Sequence, residues 1–128
     1  MLFTVSMKSD RDYRRAYNKG RFCADSSVTA YFCPNKLSLD RLGITTGKKI
    51  GNAVKRNRAR RIIRAAYREC EKDIPIGYDI VFVARAGIEG KKSTDIEEFI
   101  RTRLIKEMAK PFESGKTGNK KNNFTRKK

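Results

Sequence analysis

The sequence predicts an α+β domain, a single sheet packed against helices, and three observations carry that expectation. Short alternating runs rich in β-formers follow an early helical pattern. A long stretch with helical apolar spacing then leads into a strongly apolar strand, and a last helical pattern closes the ordered part of the chain. With 128 residues there is room for one domain with a real core and not for two comfortable ones. We expect that domain over residues 1–113 and a disordered tail over 114–128.

The elements follow in order. Ser9 with Asp12 three residues on has the form of a capping box, and Tyr13, Ala16 and Tyr17 follow at i, i+3 and i+4 before Gly20. This predicts a helix over 10–19 with two tyrosines on one face. A weaker strand covers Phe22 to Ala24, and Val28 to Cys33 alternates as a strand ended by Pro34 and Asn35. After a turn-like Ser38 to Asp40 region comes a further strand, Leu42 to Thr46. Gly47 and Gly51 flank Lys48 and Lys49 in a loop, and Asn52 is a good N-cap for a long helix running to about Lys72. Pro75 and Gly77 break the chain before Tyr78 to Arg85, a near-continuous apolar run suited to the centre of a sheet. Ala86 to Lys92 reads as a polar loop. Thr94 and Glu97 form a second capping box, and Ile96, Phe99, Ile100, Leu104 and Met108 give the apolar stripe of a final helix ending before Pro111. No internal repeat is present. If the strands flanking the long helix are parallel neighbours, their crossover is right-handed by default.

Charge narrows the function. Thirty-one Lys and Arg face 14 Asp and Glu, a net charge of +17. Ten basic residues and no carboxylate lie between Arg41 and Arg68. Such a segment must meet a polyanion or stay solvated and self-repelling. At helical spacing Ala59, Ile62, Ile63, Ala66, Tyr67 and Cys70 form one apolar stripe that anchors the helix. Opposite them Asn57, Arg61, Arg64 and Arg68 form a comb, with Arg60 beside it and Arg58 toward the helix start. Guanidinium groups suit bidentate phosphate contact and base stacking better than ammonium groups do. An ordinary solvated face would interleave glutamates at i,i+4, and here there are none. The pattern points to nucleic acid.

Other classes recede. Cys23, Cys33 and Cys70 lack CxxC spacing and the chain has no histidine, which removes most zinc and thiol–histidine chemistry. The thiols read as free, small apolar groups in a reducing compartment. MLFTVSM lacks the charged and long apolar regions of a signal peptide, and Ile80 to Ala84 is far too short to span a membrane. A cytoplasmic location follows as the expectation, with no membrane partner and no protein partner evident. The 14 carboxylates show no paired-acid pattern in the basic segment, so a protein-built nuclease metal site has no obvious ligands. From Ser114 the tail carries six basic residues and no acid, which fits a nonspecific electrostatic arm for RNA or a merely solubilising tail.

The string LGITTGKKIGNAVKRNRARRIIRAAYRE, Leu42 to Glu69, resembles the signature segment of the bacterial ribonuclease P protein subunit, including the Arg56-Asn57-Arg58 element. Asp12-Tyr13 and Tyr17 before Gly20, Tyr31 on the first long strand, and YDIVFVAR extend the resemblance to roughly residues 7–110. It implies a small protein that joins a large catalytic RNA, which removes the 5′ leader of precursor tRNA with Mg²⁺ held mainly by the RNA subunit and substrate phosphates. It implies an αβββαβα two-layer α-β sandwich like the second domain of ribosomal protein S5, whose β-α-β crossover is left-handed, against the default above. It also implies that no protein residue is catalytic.

In that frame the Arg-rich helix lies near the catalytic RNA core. Its RNA-binding set is Lys48, Lys49, Lys55, Arg56, Asn57, Arg58, Arg60, Arg61, Arg64 and Arg68. A cleft between the first helix, the sheet and the Arg-rich helix would receive the single-stranded leader on Tyr13, Tyr17, Thr29 and Tyr31. Stacking on aromatic faces contributes about 1–3 kcal/mol per base and tolerates any sequence. For Tyr67, on the apolar stripe, core packing is the better reading. A ribosomal or other non-enzymatic RNA-binding module shares the charge and size but needs only phosphate contacts, whereas a leader cleft needs the aromatics as well. DNA binding fits less well, since the helix has few Asn or Gln placed for base-edge readout.

Overall fold

A computed structural model describes residues 1–111; the predicted tail lies outside the described residues. The elements are β1 (Thr4–Ser6), α1 (Asp10–Lys19), β2 (Arg21–Ala24), β3 (Val28–Pro34), β4 (Asp40–Thr45), α2 (Ala53–Cys70), β5 (Tyr78–Ala84), α3 (Ser93–Phe99) and α4 (Ile105–Met108). The predicted α+β class and αβββαβα order hold, with β1 added in front. Five strands form one sheet in the order β1-β4-β5-β3-β2. Tyr78–Ala84 takes the central position its apolar run predicts, paired antiparallel with β3 and parallel with β4. The β4-α2-β5 unit is therefore a crossover between parallel neighbours.

Alternation along the strands divides the sheet into two faces. Ala30, Phe32, Leu42, Ile80 and Phe82 point to one side, where they meet Ala59, Ile62, Ile63, Ala66, Tyr67 and Cys70 of α2 and Ile96, Phe99, Ile100 and Leu104 of the last helical segment. All six residues of the α2 stripe are buried, as their spacing requires, and Tyr67 is fully so. On the other side Ala16 of α1 packs with Met7 and Val81, with Tyr13, Tyr31 and Val83 at the margin. The helix carrying the arginines and the helix carrying the tyrosines thus lie on opposite faces.

Several local expectations need correction. Ser9 does cap α1, its Oγ accepting from Arg11 N–H at 3.2 Å. Asp12 does not close a box; its Oδ2 instead accepts from Arg41 Nη1 at 2.9 Å. Asp95, not Glu97, reaches back at the start of α3, accepting from Lys92 N–H at 2.8 Å. Asn52 caps α2 as predicted, accepting from Lys55 N–H at 3.0 Å. That helix ends at Cys70 and tightens into a 3-10 turn, Glu71–Asp73, two residues before the limit its periodicity suggested. The last helix is interrupted by a wider π segment, Ile100–Leu104.

Asp40 opens β4 rather than closing a turn. Its Oδ1 accepts from the N–H groups of Gly77 and Tyr78, both at 2.8 Å, which ties the start of β4 to the start of β5. β1 is held in a similar way: the Glu71 carboxylate accepts from Leu2 N–H at 2.9 Å, Phe3 N–H at 2.8 Å and the Thr4 hydroxyl at 2.7 Å.

The α1 face is organised around Asp79, whose side chain is fully buried. Arg41 grips it in a fork, Nε to Oδ1 at 2.8 Å and Nη2 to Oδ2 at 2.9 Å. Arg15 of α1 donates to Oδ2 at 2.8 Å and Asn35 Nδ2 to Oδ1 at 3.0 Å. Burial pushes this carboxyl up, but the hydrogen bonds from Arg41, Arg15 and Asn35 outweigh it and hold Asp79 below the usual carboxylate range. Its contribution to stability is therefore complete above the unfolded value of about 3.9 and is lost as pH falls through the lower folded value. Asp79→Ala would leave two guanidinium groups without their shared carboxylate, and we expect it to cost about 3–5 kcal/mol in urea unfolding at pH 7. Wild type and variant should converge in acid. A destabilisation below about 1 kcal/mol, the size of an exposed pair, would contradict the assignment.

Candidate nucleic-acid interface

The basic helix owes its position to its own pattern. With the apolar stripe fixed against the sheet, Asn57, Arg61, Arg64 and Arg68 are turned to solvent, and all four are exposed. Arg61, Arg64 and Arg68 make no hydrogen bond or ion pair with other described side chains, so their donors are available.

The remaining basic residues divide by geometry. Arg56 Nη1 donates to Gly51 O at 2.6 Å and Arg58 Nη2 to Lys91 O at 2.7 Å, so each fastens a loop beside the helix start. Arg60 Nη1 reaches Asn57 Oδ1 at 3.3 Å. Lys48 and Lys49 are exposed in a short 3-10 turn, Lys48–Ile50, just before the helix. Lys55 pairs with Glu89 across 3.4 Å, an exposed contact of small energy. Arg41, counted in the sequence with the unopposed basic residues, is committed to Asp79 and Asp12. The carboxylates missing from the segment arrive from elsewhere in the fold at these two places.

On the opposite face the aromatics form a continuous row. Tyr13 and Tyr17 have ring centroids 6.5 Å apart, Tyr17 and Tyr31 meet edge to face at 5.0 Å, and Tyr31 lies 5.6 Å from Phe22. Phe22 is absent from the set the sequence suggested. It stands directly across from Tyr31 in the β2–β3 register, and its neighbour Cys23 points into the core. That in/out alternation was the signal that could have found it. Thr29, half-buried, sits two residues before Tyr31 on the same face.

Gly43 lets α1 come this close. A Cβ there would lie 2.6 Å from the Tyr13 ring, so any side chain would displace it. Burial raises the Tyr17 hydroxyl, against a hydrogen bond with Thr45 that lowers it, and burial likewise raises Tyr31 against the pull of Arg85. Both phenols stay neutral and offer ring faces without adding negative charge.

The two faces communicate at one edge of the sheet. β1 covers β4 from Asp40 to Leu42, and at this edge a polar cavity of about 170 Å³ opens, lined in part by Thr4, Val5 and Ser6 of β1 itself. Tyr13 and Met7 line it from the α1 side, Leu42 and Ile44 from β4, and Arg60 and Arg64 from α2. The aromatic face and the arginine face thus adjoin at this edge, with Tyr13 and the two arginines lining the same cavity.

No group of three His, Cys, Asp or Glu side chains suited to a metal ion occurs among the described residues. The three cysteines are buried and free, and burial pushes Cys23 and Cys70 up to about 11, so thiolate chemistry has no place here. Among the described residues no helix is long and apolar enough to cross a membrane.

Comparison with known proteins bears on the whole domain. The family profile named Ribonuclease P matches residues 3–109. The chain belongs to the ribonuclease P protein family. It is 39% identical over 104 residues to the ribonuclease P protein component of Clostridioides difficile, covering 80% of this chain and 90% of that protein. It is 42% identical over 91 residues to the component from Lachnoclostridium phytofermentans, covering 71% of this chain and 78% of the relative. Among solved structures, the RNase P protein of Staphylococcus aureus superposes with a TM-score of 0.69 at 32% identity, covering 84% of this chain and 97% of the other. The RNase P protein of Thermotoga maritima gives 0.70 at 26% identity, covering 80% and 96%. As a ribonuclease P protein component, the chain is a subunit of the ribonucleoprotein endoribonuclease of tRNA 5′ processing.

For a ribonuclease P protein the free arginines carry a measurable signature. Replacing Arg61 and Arg64 together with Ala should leave thermal stability unchanged and flatten the log–log salt dependence of RNA binding. The slope should fall by roughly 0.7 for each phosphate no longer neutralised on a single strand, or roughly 0.9 on a duplex. An unchanged slope in a salt titration would remove the comb from the interface.

Proposed function

We propose that the two faces serve two RNAs. The exposed arginines of α2, with Lys48 and Lys49, dock on phosphates of the catalytic RNA. The aromatic row on the α1 face holds the single-stranded 5′ leader of precursor tRNA. The observation that carries this reading is the edge cavity lined by both Tyr13 and Arg60/Arg64, which sets an RNA docked on the arginines beside a strand lying over the tyrosines. A module that only docks on phosphates has no use for three tyrosines and a phenylalanine gathered on the face away from its basic helix.

In this reading the protein contributes binding and positioning. Guanidinium groups at the cavity neutralise phosphates of the catalytic RNA beside the point where the leader enters the aromatic row. Neutral rings accept bases by stacking, which needs no particular base and suits an enzyme acting on many precursors. Magnesium, when bound, supplies a polarised water and charge stabilisation at the scissile phosphate. The described residues offer no acidic cluster for it, so its ligands are assigned to RNA and substrate phosphates.

Two measurements test the reading. Adding the full chain to a bacterial ribonuclease P RNA at low magnesium should restore cleavage of a leader-bearing precursor at the mature 5′ end, while the protein alone should cleave nothing. Tight RNA binding without rescue would favour a general RNA-binding role. In the assembled holoenzyme, Tyr17→Ala should weaken binding of leader-bearing precursor by about tenfold, the effect of removing one stack, and leave mature tRNA affinity unchanged. Equal weakening for both ligands would refute the cleft.

A further inference from the structure

Phe22 is the most exposed aromatic side chain among the described residues, 59% accessible, and it stands at the outer edge strand β2. A phenylalanine in that position has no hydroxyl to hydrate, and its exposed face is unfavourable in water. The ring is nevertheless held in place. It lies 5.6 Å from Tyr31 at an interplanar angle of 37°, in a fixed cross-strand register.

The row has a direction. Its Tyr13 end opens on the cavity shared with Arg60 and Arg64. From there the steps to Tyr17, Tyr31 and Phe22 are 6.5, 5.0 and 5.6 Å, each within the reach of one nucleotide of an extended single strand. Arg85, exposed just after β5 with its Nη1 donating to Asp25 O at 3.3 Å, exerts its charge on Tyr31, so a cation accompanies the row beside that ring.

We infer that Phe22 is a further base-stacking platform, taking a leader base farther upstream of the cleavage point than any base held by the three tyrosines. This rests on the proposed leader site and deepens it: the site has a fourth aromatic position, at the edge of β2, for an unpaired nucleobase of any identity. The bland alternative is a cross-strand pair that only stabilises the β2–β3 hairpin. The two differ in their dependence on leader length, because a structural pair acts whatever the leader.

The test uses the full chain assembled with a bacterial ribonuclease P RNA, and precursor tRNAs whose leaders grow one nucleotide at a time. Wild-type affinity should rise with leader length to a plateau. Phe22→Ala should match wild type on the shortest leaders, reach its plateau at a shorter leader, and bind long-leader precursor about tenfold more weakly. Phe22→Tyr should restore the wild-type profile, whereas Phe22→Leu, apolar but without a π face, should not. A weakening of equal size at every leader length, or none at any, would overturn the role of Phe22 alone. A wild-type affinity independent of leader length would overturn the leader site and this inference with it.

Discussion

A carboxylate buried as deeply as Asp79 is costly unless its charge is met in place, and here Arg41, Arg15 and Asn35 meet it together. Each partner comes from a different element: β4, α1, and the end of β3. The ion cluster therefore does what apolar packing does poorly, fixing the helix in one rotation and one register on the sheet. The apolar contact beneath it is small, Ala16 on Val81 and Met7 with Tyr13, Tyr31 and Val83 at the margin. With Arg15 anchored, Tyr13 falls over Gly43 and Tyr17 over the edge of Tyr31. The aromatic row is a consequence of that clamp.

The same sheet must present opposite properties on its two sides. One face is closed by α2 and the last helical segment, and its helix turns a band of guanidinium groups outward. The other is only partly closed by the ten residues of α1, which leaves rings accessible beside it. Contact between the two is made at the β1 edge. Three residues of β1 cover the first half of β4, and Thr4, Val5 and Ser6 themselves line the cavity where the arginine and tyrosine sides meet. Glu71 holds that short strand through Leu2, Phe3 and Thr4, so the C-terminal end of the basic helix also sets the boundary of the cavity.

What the sequence revealed follows from how local each signal is. The α2 stripe, the Asn52 cap and the apolar run of β5 are contained in neighbouring residues, and each appears where its pattern places it. The family was legible in Leu42 to Glu69 for the same reason. β1 was not, because three residues carry no period of their own and are stabilised by a strand 36 positions away and by Glu71. Arg41 looked free since its carboxylates, Asp12 and Asp79, lie far from it in the chain. Phe22 was obscured by the brevity of its strand: its outward direction becomes clear only once Cys23 is known to pair with Ala30 inside. The opposite placement of the two functional helices is likewise a property of sheet topology.

The central claim is that the two faces touch different RNAs. A photo-crosslinker carried at Tyr17 in one protein and at Arg64 in another, each assembled with ribonuclease P RNA and precursor tRNA, tests it most directly. The expected outcome is that the crosslink from Tyr17 maps to leader nucleotides and the crosslink from Arg64 to the catalytic RNA. Crosslinks from both positions to the catalytic RNA alone, or from Tyr17 to the body of mature tRNA, would contradict it.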